Sequence, residues 1–162
     1  MARVEHAPTG VEHGEQLERL YREQGGRMWR AVLAFAGDPE VASDAVAEAF
    51  AQALRRGDAI RDPERWVWRT VFLVAAGELK ARARTVPLER EGVYEIEEPA
   101  RELVAALAKL STRQRGAVVL HHAAGYPIRE VASILGSTPA AVKVHLMRGR
   151  RRLRELLGDE GA

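Results

Sequence analysis

The sequence predicts an all-α protein built from two small helical domains that are joined by a flexible acidic linker. Apolar residues recur at helical spacing along most of the 162-residue chain, which predicts amphipathic helices. Two Asp-Pro-Glu sequences, beginning at Asp38 and Asp62, each combine a carboxylate N-cap with a proline in the first turn. Residues 85–99 break the helical pattern with two prolines, a glycine and five glutamates, which indicates a domain boundary.

The composition narrows the class of protein. Apolar residues make up 46% of the chain, which is enough for a folded core and argues against intrinsic disorder. The absence of cysteine excludes disulfides and thiolate metal sites and fits a reducing cytoplasm, where we expect the protein to be located. No signal peptide or apolar run long enough to span a bilayer is visible, so we expect no membrane insertion.

The charges are divided unevenly along the chain. Residues 1–99 hold 14 Lys and Arg against 18 Asp and Glu, whereas residues 100–162 hold 11 against 5. The basic C-terminal third is suited to binding a polyanion, and the acidic remainder is suited to binding a protein partner.

The N-terminal residues predict a tail followed by a long helix. Residues 1–13 lack periodicity, so we expect a disordered tail in which His13 is solvated. From Glu15 to Ala36 the apolar positions predict a helix that is interrupted at Gly25 and Gly26.

Two further helices complete the first predicted domain, residues 14–84. One starts at Asp38 and ends near Gly57, and the other starts at Asp62 and runs to Arg84. We expect Trp66 in this last helix to lie in the core, although an aromatic ring beside arginines can also stack on unpaired bases.

The second predicted domain covers residues 100–158 and is followed by a short tail, residues 159–162. A helix is expected over Ala100–Leu110. Ser111 and Gln114 then form a capping box that starts a helix ending near Gly125.

The stretch from Pro127 to Leu157 predicts a helix-turn-helix. Gly136 ends its first helix, and Thr138 with Pro139 supplies an N-cap and a first-turn proline for the second. In DNA-binding proteins this motif places its second helix in the major groove. An αα-hairpin with no ligand is the alternative, but it does not require a basic second helix. That helix carries five arginines within seven residues: Arg148, Arg150, Arg151, Arg152 and Arg154.

These motifs together resemble a known family. Residues 15–157 are similar to the extracytoplasmic-function (ECF) group of alternative sigma factors of bacterial RNA polymerase. GDPEVASDAVAEAFAQALRR and DPERWVWR resemble sigma region 2, and LAKLSTRQRGAVVLHH with the following helix-turn-helix resembles sigma region 4. The resemblance implies a region 2-like helical bundle and a region 4-like helix-turn-helix domain.

The resemblance also implies a function and partners. The chain would bind core RNA polymerase through the β′ clamp and the β flap, and would direct promoter recognition and transcription initiation. An anti-sigma protein is a candidate partner. Neither a cofactor nor a catalytic residue is implied, because the polymerase itself carries out nucleotide transfer.

The resemblance assigns residues to three surfaces. The −35 element would be contacted by Thr138, Lys143, Val144, Met147, Arg148, Arg151 and Arg152. The −10 element would be read and melted by Arg61, Trp66, Trp68 and Arg69. Core polymerase would be bound by Asp44, Ala47, Glu48 and Gln52.

The chain departs from the family pattern in the recognition helix. Val144 and His145 stand where a serine and an arginine are common, and Val144 cannot donate a hydrogen bond to a base. We therefore expect sequence readout to rest on Lys143 and Arg148, with the other arginines contacting phosphates.

A second departure lies in the third helix of the first domain. Phe72 and Leu73 replace a polar stretch that usually contains Arg-Asn, so two candidate DNA donors are missing. This keeps an alternative open: a sigma-like regulator that binds DNA or polymerase without melting promoters.

An enzyme is a third reading. His121 and His122 form the only histidine pair, but neighbouring helical positions point about 100° apart and share a metal poorly. The pair fits a helix surface or an interdomain contact better.

Overall fold

The computed structural model describes residues 10–82 and 98–158. These residues form helices without any strand, which confirms the predicted all-α class. A 3₁₀ turn spans Gly57–Ala59 and a π-helical turn spans Val119–Ala123. The α-helices are α1 (Gly10–Ala36), α2 (Pro39–Arg56), α3 (Pro63–Arg82), α4 (Glu98–Ala108), α5 (Thr112–Val118), α6 (Ile128–Leu135) and α7 (Pro139–Leu157). None of them is both long and apolar enough to cross a membrane.

Helices α1, α2 and α3 pack on one another as a first bundle. The start of α2 follows the sequence prediction, because the Asp38 side chain accepts hydrogen bonds from the backbone N–H groups of Glu40 and Val41. Apolar faces of all three helices meet in a core from which water is excluded. Its fully buried side chains include Met28, Val32, Val41, Val67 and Val71.

The structure corrects two predictions about α1. The helix begins at Gly10, so residues 10–13 are not part of a disordered tail, and His13 is buried. Its ring nitrogen Nε2 lies 3.1 Å from the carbonyl oxygen of Ala53, and this partner in α2 offsets the cost of burying an imidazole. The expected interruption at Gly25 is also wrong. The helix continues through both glycines, and the Tyr21 ring packs beside Gly25, 3.3 Å from where a Cβ would lie.

Helices α4 to α7 form a second bundle that contains the helix-turn-helix. Gly136 ends α6 in the left-handed conformation, with φ 62° and ψ 42°, as predicted. The Thr138 hydroxyl accepts a hydrogen bond from the Ala141 N–H and starts α7. The predicted capping box at Ser111 and Gln114 is also present.

The connections of the second bundle differ from their predicted positions. Helix α4 begins at Glu98 rather than Ala100, and the remainder of the expected linker lies outside the described residues. The helix expected to end near Gly125 instead changes to a π-helical turn after Val118. Apolar periodicity does not signal this change, since one wide turn alters the register by a single residue.

The two bundles pack against each other through aromatic side chains. Phe72 of α3 is fully buried and meets the rings of Phe35 and Tyr126 edge-on, with centroids 5.6 and 6.2 Å apart. Arg115 of α5 donates from Nε to the carbonyl oxygen of Phe35 at 2.6 Å. Gly116 makes this close approach possible, because a Cβ there would lie 3.1 Å from the Phe35 ring and 3.0 Å from Leu135.

A glycine in α7 offers a test of the packing inside the second bundle. A Cβ at Gly149 would lie 2.8 Å from Cγ2 of Val118, whereas one at Gly77 in α3 would meet nothing within 4 Å. Alanine raises helix propensity equally at both positions, so the comparison isolates the clash. We expect Gly149→Ala to be less stable than Gly77→Ala by about 1–3 kcal/mol in urea denaturation. Equal free energies of unfolding would contradict the close contact of α5 and α7.

Candidate nucleic-acid interface

One face of α7 is exposed, and it carries the side chains that the sequence assigned to the −35 element. Lys143, Val144, Met147, Arg148 and Arg151 are exposed and recur at intervals of three and four residues. Since the buried side of α7 packs on the rest of the second bundle, this face is open to a large ligand. The buried positions are Val142, Leu146 and Gly149.

The remaining two residues of the predicted −35 set have partners within the chain. Thr138 is the N-cap of α7, although its hydroxyl hydrogen stays free to donate outward. Arg152 pairs with Glu155 at 3.2 Å, and both side chains are about half exposed. Such an exposed pair contributes little to stability and does not prevent Arg152 from turning to another anion.

The predicted −10 residues lie on two different sides of the first bundle. Arg61 is exposed, and Trp66 is half-buried beside a cleft of about 400 Å³ between α2 and α3. The Arg56 guanidinium lies 5.5 Å from the Trp66 ring centroid, within cation–π distance. Leu73 also lines this cleft and is 36% exposed.

Trp68 lies on another side of α3, against α1 and the loop before α6, whereas Arg69 lines the Trp66 cleft and also reaches α6. The indole N–H of Trp68 donates to Gln24 at 2.7 Å, and Arg27 lies 5.7 Å from the ring centroid. Arg69 donates to the Ser133 hydroxyl of α6 at 2.8 Å. Two of the four side chains expected to contact DNA are thus engaged within the chain.

Arg65, which the sequence did not assign to any surface, stands beside these residues. It forms an ion pair with Glu130 of α6. Arg61, Arg65 and Arg69 are spaced four residues apart, and this spacing in the sequence is the signal that could have identified Arg65. Gln24, the partner of Trp68, gave no such signal because it lies 44 residues away in sequence.

The predicted polymerase-binding residues share one face of α2. Asp44 and Ala47 are exposed, while Glu48 and Gln52 are half-buried. Glu48 accepts hydrogen bonds from Gln52 at 3.0 Å and from Arg55 at 3.1 Å, and these bonds lower the pKa of its carboxyl.

Glu78 of α3 adds to the acidic character near this face. Burial, followed by the charge of Asp44, raises the pKa of Glu78 above its usual value.

An apolar groove of about 630 Å³, which the sequence did not predict, opens beside α7. Nonpolar side chains from five helical segments form most of its wall, and Arg150 and Arg154 line it as well. Arg150 also donates from Nε to Nε2 of His122 at 2.9 Å. The apolar lining comes from Ala34, Leu103, Leu107, Val118, Val119, Ala123, Leu153 and Leu157.

The histidine pair has a packing role in the structure. Nδ1 of His121 lies 2.8 Å from the carbonyl oxygen of Tyr126, and His122 contacts Arg150. Within residues 10–82 and 98–158, no three His, Cys, Asp or Glu side chains are placed to hold a metal ion.

Comparison with known proteins places this geometry in a family. Residues 100–153 match the family model described as Sigma-70, region 4. The chain is 30% identical over 176 residues to the ECF RNA polymerase sigma factor SigL of Mycobacterium tuberculosis, covering 99% of this chain and 98% of that protein. It is also 30% identical over 152 residues to SigM of the same species, covering 87% and 76% of the two chains.

A solved structure has the same fold. The sigma factor RpoE of Bartonella quintana, in complex with the anti-sigma factor NepR, superimposes with a TM-score of 0.73. The match covers 90% of this chain and 98% of RpoE, at 20% sequence identity. Such a likeness establishes the architecture of the chain.

His122 provides a test of the groove. Burial, and then the charges of Arg150 and His121, lower its pKa below the ordinary value. The unfolded chain then binds the proton more readily, so the folded state loses stability as the pH falls below about 6.5. We expect the free energy of unfolding to fall more between about pH 7.5 and 5.5 for the unaltered chain than for His122→Gln, measured by urea denaturation. Parallel pH profiles would contradict the lowered pKa.

Proposed function

Because the chain belongs to the ECF sigma factors, alternative sigma factors that direct transcription initiation by bacterial RNA polymerase, we propose that it reads promoters with two separate surfaces, one on α7 and one on α3. The exposed cationic face of α7 carries the proposal. Its arginines supply salt-dependent phosphate affinity. Lys143 and Arg148 supply base contacts, since one bidentate arginine–guanine pair discriminates by roughly 1–3 kcal/mol.

The α3 surface would read and melt the −10 element. Trp66 stands at a cleft of about 400 Å³ that would receive an extruded base, with Arg56 beside its ring. Stacking of a base on an aromatic ring contributes roughly 1–3 kcal/mol. Arg61 lies just before α3 and is exposed to phosphates. Arg69 lines the same cleft as Trp66, whereas Trp68 would contact DNA from the side of α3 that faces Gln24 of α1.

Two further surfaces would bind core polymerase. The α2 face with Asp44, Ala47, Glu48 and Gln52 suits a basic helical partner and is assigned to the β′ clamp. The apolar groove beside α7 suits an amphipathic helix, and we assign it to the β flap. These partners place the protein in the cytoplasm, at chromosomal DNA. No side chain is assigned a catalytic role, and no cofactor is required.

In the proposed organisation, α1 to α3 form the domain for core polymerase and the −10 element. Helices α4 to α7 form the domain for the −35 element, and the residues between α3 and α4 connect the two. The unequal charge of the two parts supports this division.

A protein inhibitor is a further expected partner. RpoE of Bartonella quintana was solved with the anti-sigma factor NepR, and we propose that an anti-sigma protein also binds this chain. Purification of the chain from its native host should recover a second protein at equal stoichiometry. Repeated recovery with polymerase alone would refute this part of the proposal.

The decisive experiment is transcription in vitro with core polymerase from the native host. Genomic DNA fragments serve as templates, and transcript 5′ ends are mapped by sequencing. We expect a small set of start sites that share two upstream motifs and are absent with core polymerase alone. Absence of any new start site would refute the sigma function.

The buried position of Phe72 bears on the alternative of a regulator that does not melt DNA. Phe72 fills the contact between the bundles. The phenylalanine at this usually polar position therefore has a packing role. Leu73, by contrast, is partly exposed at the Trp66 cleft. Permanganate footprinting separates the two functions, because only a melting factor makes thymines of the −10 element reactive.

The recognition helix should divide its work between base and phosphate contacts. Arg148→Ala should remove preference for one base pair of the −35 element, which corresponds to roughly 1–3 kcal/mol of discrimination. Arg151→Ala should weaken binding equally on all sequences and reduce the salt slope by about one unit. Binding of the polymerase complex to matched and single-substituted promoters at several salt concentrations measures both effects. Equal behaviour of the two variants would contradict this division.

A further inference from the structure

Two large apolar side chains stand together on the exposed face of α7. Val144 is 40% exposed and Met147 is 59% exposed. Neither is among the described side chains that pack on the hydrophobic core. A single exposed apolar residue is ordinary, but these two are neighbours, about one turn apart, on the face that we assign to the −35 element. The pair is therefore suited to contact with an apolar group on the DNA.

Cationic side chains flank this apolar pair. Arg148 lies four residues after Val144. Lys143 lies four residues before Met147, so the four side chains share one surface of the helix. Contacts of Lys143 and Arg148 with base edges would bring the apolar pair against the same edges. In the major groove, thymine is the base whose edge carries an apolar group, its C5 methyl.

We propose that Val144 and Met147 recognise the methyl groups of thymines in two neighbouring base pairs of the −35 element, next to the guanine that Arg148 contacts. The inference rests on the proposed function and names the bases that the α7 face selects. Since each helical residue advances about 1.5 Å, the two side chains are about 4.5 Å apart along α7. Base pairs repeat about every 3.4 Å, so an apolar pair that lies along the groove meets neighbouring base pairs.

A valine at position 144 discriminates differently from the serine that is common there. A serine hydroxyl can donate to or accept from the edges of several bases, so it selects weakly. Val144 gains free energy only from an apolar partner such as the thymine methyl. A cytosine at the same place sets its N4 amino group against the apolar pair, where that group loses water without gaining an acceptor. Selection of thymine therefore combines attraction of its methyl with exclusion of cytosine.

Removal of single methyl groups from the DNA tests the proposal without altering the protein. Deoxyuridine differs from thymidine only by the missing C5 methyl. The complete chain with core polymerase is bound to fluorescent promoter fragments in which each thymine of a mapped −35 element is replaced in turn. We expect binding to weaken about fourfold at each of two neighbouring positions, the effect of losing the burial of roughly one methyl group. Deoxyuridine between the −35 and −10 elements is the control and should leave binding unchanged.

Protein variants then assign each methyl to its side chain. Val144→Ala should abolish the deoxyuridine penalty at one of the two positions, and Met147→Ala should abolish it at the other, as a double-mutant cycle measures. Both changes are at exposed positions and should leave the fold intact. Val11→Ala in α1 is the matched control, because it makes the same change at a valine that is 72% exposed in the first bundle. We expect Val11→Ala to keep both penalties.

The outcomes separate this inference from the proposed function. Unchanged binding of every deoxyuridine fragment would overturn methyl recognition, and so would mapped −35 elements without two neighbouring A·T pairs. Penalties that persist undiminished in both Val144→Ala and Met147→Ala would show that the methyl groups act through another contact, and would also overturn it. In each of these cases, start sites obtained with the unaltered chain would still support the sigma function. Failure of the unaltered chain to initiate any transcription would instead reject the proposed function, and this inference with it.

Discussion

The burial of Phe72 between Phe35 and Tyr126 is the contact on which the arrangement of this protein depends. One phenylalanine ring of α3 joins the core of the first bundle to the loop that precedes the helix-turn-helix. Aromatic rings bury large apolar areas and prefer edge-on geometry, so this small cluster orients the two bundles as well as holding them together. The polar contacts made by Arg65, Arg69 and Arg115 form around it.

This contact explains why the two proposed DNA surfaces differ in the free chain. Within the part of the chain that the structure describes, no ion pair holds Lys143, Arg148 or Arg151 on the outward face of α7, so these side chains can meet a phosphate backbone. The α3 surface is divided. Trp66 opens toward a cleft on the α2 side, whereas Trp68 and Arg69 are engaged by Gln24 and Ser133. The free chain therefore presents a promoter with an unoccupied surface on α7 and with a surface on α3 whose side chains are partly bonded within the chain.

The burial of Phe72 gives a structural reason for one departure from the family pattern. In the sequence, Phe72 indicates that a DNA-contacting donor is missing, because a polar residue is usual at its position. In the structure the Phe72 ring is buried, so the loss of a DNA-contacting donor is accompanied by a gain in buried apolar area. Leu73 is the next residue but lies on another face of α3. There an apolar side chain still stands in place of a candidate DNA donor.

The sequence by itself determined the helices, their caps, the helix-turn-helix and the family. These depend on interactions between residues close in sequence, such as the Asp38 and Thr138 caps and the left-handed Gly136. Only the tertiary structure decided that His13 is buried, that Trp68 is bonded to Gln24 and that Arg65 is paired. Each of these needs a partner tens of residues away, which periodicity and capping rules do not specify. The sequence placed arginines and tryptophans on α3, and the packing of α1 and α6 against them decided which are engaged within the chain.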